Sequence, residues 1–137
     1  MVSKLLDNPK QGALILAPTR ELVHKIADFL RDLTVNCKNL NVVSLVGGAD
    51  IRKQLNQLKR KPRIVVATPG RLNDHLKRRS LTLTRTSVLI LEEGDRMLDM
   101  GFAPQLDQIL KYVTKERQTT LFTATLSEKV QKLAGKY

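Results

Sequence analysis

Three carboxylates stand close together at a position where they could bind a cation. Glu92, Glu93 and Asp95 follow the apolar run Val88–Leu91, which predicts a buried strand that ends at the first carboxylate. Carboxylates in this position hold Mg²⁺, usually through water, and a second carboxylate can orient a water molecule for attack on a phosphoryl group. On these residues alone, a solvated acidic turn is the other interpretation.

Three further segments carry groups that suit phosphate oxygens: threonine hydroxyls, arginines and the N–H groups of helix N-termini. Glycines add to this because, without a Cβ, they let the backbone approach a ligand closely. Such contacts follow a sugar-phosphate backbone and do not read base identity. The residues are Pro18, Thr19, Arg20, Gly47, Gly48, Thr68, Pro69, Gly70 and Arg71. Taken alone, Thr68-Pro69-Gly70 is more simply explained as a capped helix start, and Gly47-Gly48 as a turn.

Five short apolar runs predict the strands that must position these groups. They are continuous, as in a parallel sheet covered on both faces, and comprise Ala13–Ala17, Val42–Val46, Ile64–Ala67, Val88–Leu91 and Thr120–Phe122 with its flanks. Apolar residues at helical spacing lie between them, for example Leu22, Ile26, Phe29, Leu30 and Leu33. Alternating strands and helices predict an α/β fold, in which ligands bind beyond the carboxyl ends of the strands. Asp50, Thr68 and Ser127 are the predicted helix N-caps.

In their order along the chain, these segments resemble motifs of the first RecA-like domain of DEAD-box RNA helicases. Pro18–Leu22 is similar to motif Ia, Gly47-Gly48 to motif GG and Thr68–Arg71 to motif Ib. Glu92–Phe102 is similar to motif II with its continuation, and Thr123-Ala124-Thr125 to motif III.

The resemblance implies a role for each motif. Glu92 would hold Mg²⁺ through water when nucleotide is bound, Glu93 would be the catalytic base, and Asp95 would link motif II to motif III. Motif III, which is Thr123, Ala124 and Thr125, would couple the nucleotide site to RNA remodelling. Motifs Ia, GG and Ib would contact the RNA backbone.

Motif II departs from the family pattern at two positions. The family reads Asp-Glu-Ala-Asp, where this chain has Glu92 in place of the first Asp and Gly94 in place of Ala. A glutamate is one methylene longer, and a ligand displaced by ~1 Å can cost on the order of a hundredfold in rate.

The resemblance extends from Gln11 to Lys136, and it leaves the Q motif, the G-x-x-x-x-G-K-[ST] phosphate loop and the second RecA-like domain without a counterpart. We therefore expect residues 1–137 to form a partial N-terminal RecA-like domain, a parallel sheet with helices on both faces that lacks the phosphate-loop strand. The expected function is that of a fragment of an ATP-dependent DEAD-box RNA helicase, inactive alone. A degenerate, ATP-independent module that binds RNA or protein is the alternative. ATP and Mg²⁺ are the cofactors expected for intact members of the family. For the chain alone, the expectation is that no cofactor is bound.

By the same resemblance, the expected strand order is motif III, motif II, motif Ia, motif Ib, motif GG. Residues 119–125 would then form an open sheet edge, and such an edge invites self-association or pairing with a complementary fragment.

Composition points to an anionic partner. The net charge is +11 over 137 residues, which favours nucleic acid; a basic surface without a specific partner is the alternative. The single cysteine, Cys37, cannot form an internal disulfide, so a reducing, cytoplasmic location is expected, and the cysteine itself is expected to be buried or half-buried. No run approaches the ~18 apolar residues of a membrane span.

Two basic runs and two histidines complete the candidates. Lys59–Arg63 and Lys77–Arg79 close predicted helices at the side of the sheet opposite the motif loops. Cations there favour the negative end of the helix dipole, and a secondary nucleic-acid patch is the alternative. His24 and His75 have no second ligand at metal spacing, and both are expected at the surface or at its boundary.

Overall fold

The structure is a computed structural model that describes Leu5, residues 10–37 and residues 40–137. Its five strands are β1 (Gly12–Leu16), β2 (Val42–Leu45), β3 (Ile64–Ala67), β4 (Thr86–Leu91) and β5 (Gln118–Leu121). They form one sheet in the order β2-β3-β1-β4-β5, which confirms the expected order of the motifs. Every neighbouring pair is parallel, so the carboxyl ends of all five strands lie at one edge.

Between residues 10 and 137, six helices are described that connect or follow the strands: α1 (Arg20–Leu33), α2 (Ile51–Leu58), α3 (Pro69–Lys77), α4 (Gly94–Asp99), α5 (Ala103–Leu110) and α6 (Glu128–Lys136). The side chains of β1 alternate between two apolar cores. Ala13 and Ile15 join a core with α1, whereas Leu14 and Leu16 join a core with the other five helices. The predicted α/β architecture with helices on both faces is therefore confirmed.

Helix α1 turns a narrower apolar face to the sheet than its sequence indicates. Val23, Ala27 and Leu30 are buried, while Phe29 and Leu33 are 66% and 55% exposed. These three buried residues share one apolar core with Ala13, Ile15 and Ala17.

All three predicted residues stand at helix N-caps, and two of them make a side-chain capping hydrogen bond. The carboxylate of Asp50 accepts a hydrogen bond from the N–H of Arg52 at 2.9 Å, and the hydroxyl of Ser127 accepts one from Val130 at 3.4 Å. Thr68 does stand at the N-cap of α3 with extended backbone angles, and Pro69 follows at the first helical position. The hydroxyl of Thr68, however, makes no capping hydrogen bond.

Candidate functional site

The five motif segments gather at the carboxyl edge of the sheet. Motif Ia follows β1, motif GG follows β2 and motif Ib follows β3, while motifs II and III follow the neighbouring strands β4 and β5. The chain order reverses around β1, and ligands of open α/β sheets bind at such reversal points. This edge therefore brings the carboxylates and the phosphate-type groups onto one surface.

Motif II is held in place by backbone bonds to the two flanking strands. The N–H of Glu92 donates to the carbonyl of Leu16 at 2.8 Å, and the N–H of Gly94 donates to the carbonyl of Phe122 at 3.0 Å. A Cβ built on Gly94 would lie 2.5 Å from Cδ1 of Leu121, so an alanine there would have to displace the Leu121 side chain. The glycine at this position thus matches its local packing.

Glu93 adopts a left-handed backbone with φ 52°, uncommon for a residue with a side chain. It stands at the N-cap of α4, makes no side-chain cap, and its carboxylate lies 3.6 Å from the guanidinium of Arg96. Burial, and secondly the charge of Glu93, raise the pKa of the Glu92 carboxyl above its usual range. A bound cation would favour the charged form of Glu92.

A side-chain hydrogen bond joins motif II to motif III. The hydroxyl of Thr125 donates to Oδ2 of Asp95 at 3.2 Å, and the hydroxyl of Thr123 donates to the carbonyl of Thr125 at 2.9 Å. Desolvation, the largest influence, acts to raise the pKa of Asp95, but hydrogen bonds that include those from the Arg96 N–H and the Thr125 hydroxyl outweigh it and lower this pKa. The backbone reinforces the link, because the N–H of Phe122 donates to the carbonyl of Leu91 at 2.8 Å.

Motif Ia meets motif GG through Arg20 and Gly48. Thr19 caps α1 by accepting from the N–H of Leu22 at 3.2 Å, which places Arg20 at the first helical position. Gly48 has φ 80°, and a Cβ there would lie 2.8 Å from Nη1 of Arg20. The positive φ of Gly48 therefore favours glycine, and a larger residue would also have to displace the end of the Arg20 side chain, whereas a Cβ on Gly47 would meet none of the described atoms within 4 Å.

Motif GG is tied to motif Ib by a buried polar cluster. The side-chain oxygen of Gln54 accepts from Nη1 of Arg71 at 3.1 Å and lies 2.8 Å from Nε2 of His75. The Gln54 amide nitrogen donates to the carbonyl of Val46 at 3.0 Å, and Arg71 also donates to the carbonyl of Ala49 at 3.3 Å. Helices α2 and α3 are thereby fixed against the loop that carries Gly47 and Gly48.

The cluster also fixes the protonation of His75. Because the Gln54 side-chain oxygen is only an acceptor, Nε2 of His75 must carry the proton that it donates, and the buried Nδ1 then has no hydrogen-bond partner among the described residues. Burial, and next the charges of Arg71 and Arg78, lower the pKa of His75. The imidazole is therefore neutral near pH 7.

Two expectations from the sequence change here. The prediction that His75 lies at the surface or its boundary is wrong, since the residue is fully buried, because Gln54 offers its ring an acceptor inside the protein. His24 is exposed, as expected, and Cys37 is half-buried, as expected.

Arg71 does lie beside motif GG, but its side chain is only 13% exposed and its guanidinium binds within the protein. Gln54 was not among the predicted site residues.

The carboxylates suit a metal ion that takes most of its ligands from a bound nucleotide and from water. Within the described residues, no group of three or more His, Cys, Asp or Glu side chains could hold a metal ion alone. Mg²⁺ commonly takes only one or two protein carboxylates and fills its other positions with water and substrate phosphates. Glu92, at the end of β4, fits that requirement.

Comparison with known proteins identifies the family. A family model described as DEAD/DEAH box helicase matches residues 1–133. The chain belongs to the DEAD/DEAH box helicase family. The yeast DEAD-box splicing factor Prp28 superposes on 99% of the chain, with a TM-score of 0.86 and 38% sequence identity, and the match covers 32% of that chain.

Curated relatives agree with the family assignment. The chain is 44% identical over 125 residues to the ATP-dependent RNA helicase CshA of Listeria monocytogenes, which covers 91% of this chain and 24% of that protein. It is 52% identical over 128 residues to the ATP-dependent RNA helicase RhlB of Pseudomonas syringae pv. tomato, covering 91% of this chain and 32% of that protein. The chain thus spans between a quarter and a third of the length of these relatives. None of the helices in the described part of the chain has the length and apolarity that a membrane crossing needs.

Proposed function

We propose that this chain forms part of an ATP-dependent RNA helicase, to which it supplies RNA-backbone contacts and the motif II carboxylates. One observation carries the proposal: the segments that resemble motifs Ia, GG, Ib, II and III meet at the carboxyl edge of one parallel sheet. The hydrogen bond between Asp95 and Thr125 supports a coupling role for motif III. The resemblance to whole helicases favours this function over an ATP-independent module.

For the nucleotide half of the reaction, ATP and Mg²⁺ are the proposed cofactors. Glu92 would hold Mg²⁺ through water and Glu93 would orient the attacking water. These 137 residues include no G-x-x-x-x-G-K-[ST] sequence, so the chain itself offers no phosphate cradle of that kind. We therefore do not expect the chain alone to hydrolyse ATP. A cytoplasmic location is proposed as well, on the evidence of the lone cysteine.

For the RNA half, the residues proposed to take part are Pro18, Thr19, Arg20, Gly47, Gly48, Thr68, Pro69, Gly70 and Arg71, all by direct contact except Arg71. Arg20 is exposed at the N-terminus of α1, where the helix dipole also favours an anion. Gly47 leaves its backbone open to an approaching ligand. We assign Arg71 an indirect role, since it holds motif GG in position through Ala49 and Gln54.

Binding of labelled oligouridylate and of unrelated single-stranded RNAs, followed by fluorescence anisotropy, tests this proposal. We expect weak binding that does not depend on sequence and that falls steeply between about 50 and 200 mM salt, because phosphate contacts release counterions. Arg20→Ala should weaken binding several-fold. Arg31→Ala removes a similar exposed charge from the last turn of the same helix and should change binding little. Equal effects of the two variants, or tight binding of one sequence that persists at high salt, would contradict the proposal.

A further inference from the structure

A basic cleft lies at the edge of the sheet opposite the motif loops. It has a volume of about 750 Å³ and is formed by the segments that lead into β1, β3 and β4 together with the ends of α2 and α3. No acidic residue is found among the described residues that line it. Its cations are Lys10, Lys59, Lys61, Arg63, Arg79 and Arg85.

The charge of this basic cleft is not neutralised by the described part of the chain. Arg63 is anchored, since its guanidinium donates to the carbonyls of Gln11 and Leu5. The other five cations are exposed, and none of them forms an ion pair with a described carboxylate. Like charges held together repel one another, and a bound anion would remove that penalty.

The backbone adds a second, independent observation. Lys61 and Arg79 have φ values of 51° and 57°, the left-handed conformation in which helices usually end on glycine. The third non-glycine residue with positive φ in the described part of the chain is Glu93, in motif II. Residues with side chains in this conformation cluster at functional sites because the strain must be offset by something else.

The helix dipole does not account for these two cations. The end of α2 already carries Lys59 and Arg60, and that of α3 carries Lys77 and Arg78. A glycine at residue 61 or 79 would remove the strain of the positive φ, and the two remaining cations at each helix end would still interact favourably with the helix dipole. A cation at both positions is better explained by a ligand that both can reach.

We propose that the basic cleft binds the phosphates of an RNA strand, as a second contact remote from the motif edge. Hydroxyls of Ser80, Thr82 and Thr84 also line the cleft and suit phosphate oxygens. None of the lining residues within the described chain is aromatic, so bases find no stacking surface there. The cleft would therefore follow the RNA backbone without regard to sequence. The identification of the anion as RNA rests on the proposed function. The inference that the cleft binds phosphate groups rests on its own residues and is independent of that function.

The double variant Lys61→Gly/Arg79→Gly tests the basic cleft without imposing strain, because glycine favours the observed backbone. Lys129→Ala/Lys132→Ala, which removes two exposed charges from α6, is the matched control. Oligouridylate affinity is measured across a range of salt concentrations, and isothermal calorimetry with pyrophosphate is run in parallel. Thermal unfolding of both variants confirms that they fold.

For the glycine variant we expect a several-fold loss of RNA affinity and a salt slope shallower by about 1.4, since each single-strand phosphate contact contributes about 0.7. The control should keep the slope of the original chain. Equal slopes in both variants would overturn the proposal. Pyrophosphate binding that disappears in the glycine variant while RNA affinity is unchanged would also overturn it, and would assign the cleft to a small phosphate ligand. Arg20→Ala reports separately on the motif edge, so failure of the cleft and failure of the proposed function give different results.

Discussion

At the residue scale, two adjacent carboxylates follow β4, and the surroundings of one of them, Glu92, oppose its ionisation. Glu92 is partly buried beside Glu93, and both effects raise its pKa. Glu93 in turn holds a left-handed backbone. Both features cost folding free energy and serve no packing purpose evident in the described chain. Costs of this kind are typical of sites arranged for a ligand.

We expect Glu92→Gln to stabilise the chain near pH 7 by at most about 0.5 kcal/mol, because solvent screens the charge of a carboxylate that is only partly buried. A raised pKa in the folded state means that the folded chain binds this proton more tightly, so stability falls as pH rises through that pKa. The amide carries no charge and avoids this penalty. The gain should vanish below about pH 4, where the carboxyl is protonated in both states. Urea unfolding at both pH values measures it.

Glu116→Gln is the matched control, because that carboxylate is exposed in the loop before β5. It should change stability little at either pH. A stabilisation by Glu92→Gln that is the same at low and neutral pH would show that side-chain packing, and not ionisation, is responsible.

At the element scale, Gln54 fixes the positions of α2 and α3 relative to the motif GG loop. Its amide contacts the carbonyl of Val46, the guanidinium of Arg71 and the ring of His75. Since Gln54 is 4% exposed and His75 is fully buried, water cannot replace these bonds. The three side chains act as one unit that sets the position of motifs GG and Ib.

We expect Gln54→Ala to lower the free energy of unfolding by about 1–3 kcal/mol, because it leaves buried polar groups of Arg71 and His75 without a hydrogen-bond acceptor. RNA binding should weaken as well, because the motif GG loop loses its anchor. Gln57→Ala changes the same residue type on the exposed face of the same helix and should stay within about 0.5 kcal/mol of the original chain. Urea unfolding and RNA anisotropy measure both effects. Equal losses in the two variants would contradict the role given to Gln54.

The sequence predicts the elements better than it predicts this cluster. Apolar runs and cap residues locate every strand to within about two residues, because burial and capping are local signals. The pairing of Gln54 with Arg71 and His75 joins two helices and a loop, so no local pattern contains it. A usable signal did exist: Gln54 lies in phase with Ile51 and Leu58, and His75 lies three residues after Leu72. Polar residues in the apolar phase of a helix are candidates for buried hydrogen bonds.

At the scale of the whole molecule, the strand order puts β5 at the end of the described sheet. Phe122, just after β5, exchanges bonds with β4 and motif II through both its N–H and its carbonyl. Because neighbouring residues of a strand point their backbone groups to opposite sides, Leu121 and Thr119 present theirs to the open side. Phe122 and Leu126 are also 51% and 75% exposed beside this edge. An open sheet edge with exposed apolar side chains beside it invites another strand.

We expect the 137-residue chain to self-associate through the β5 edge, so that its mass in light scattering rises with concentration. Thr119→Pro should keep the chain monomeric, because proline removes an outward N–H without breaking the bonds to β4. Thr119→Ala removes only the side chain, which accepts a hydrogen bond from Arg117, and should associate like the original chain. If the original chain stays monomeric while its residue 119–125 amides exchange rapidly with solvent, the edge is open but harmless and the association is refuted. Strong protection in a monomer would instead mean that another segment of the chain covers β5.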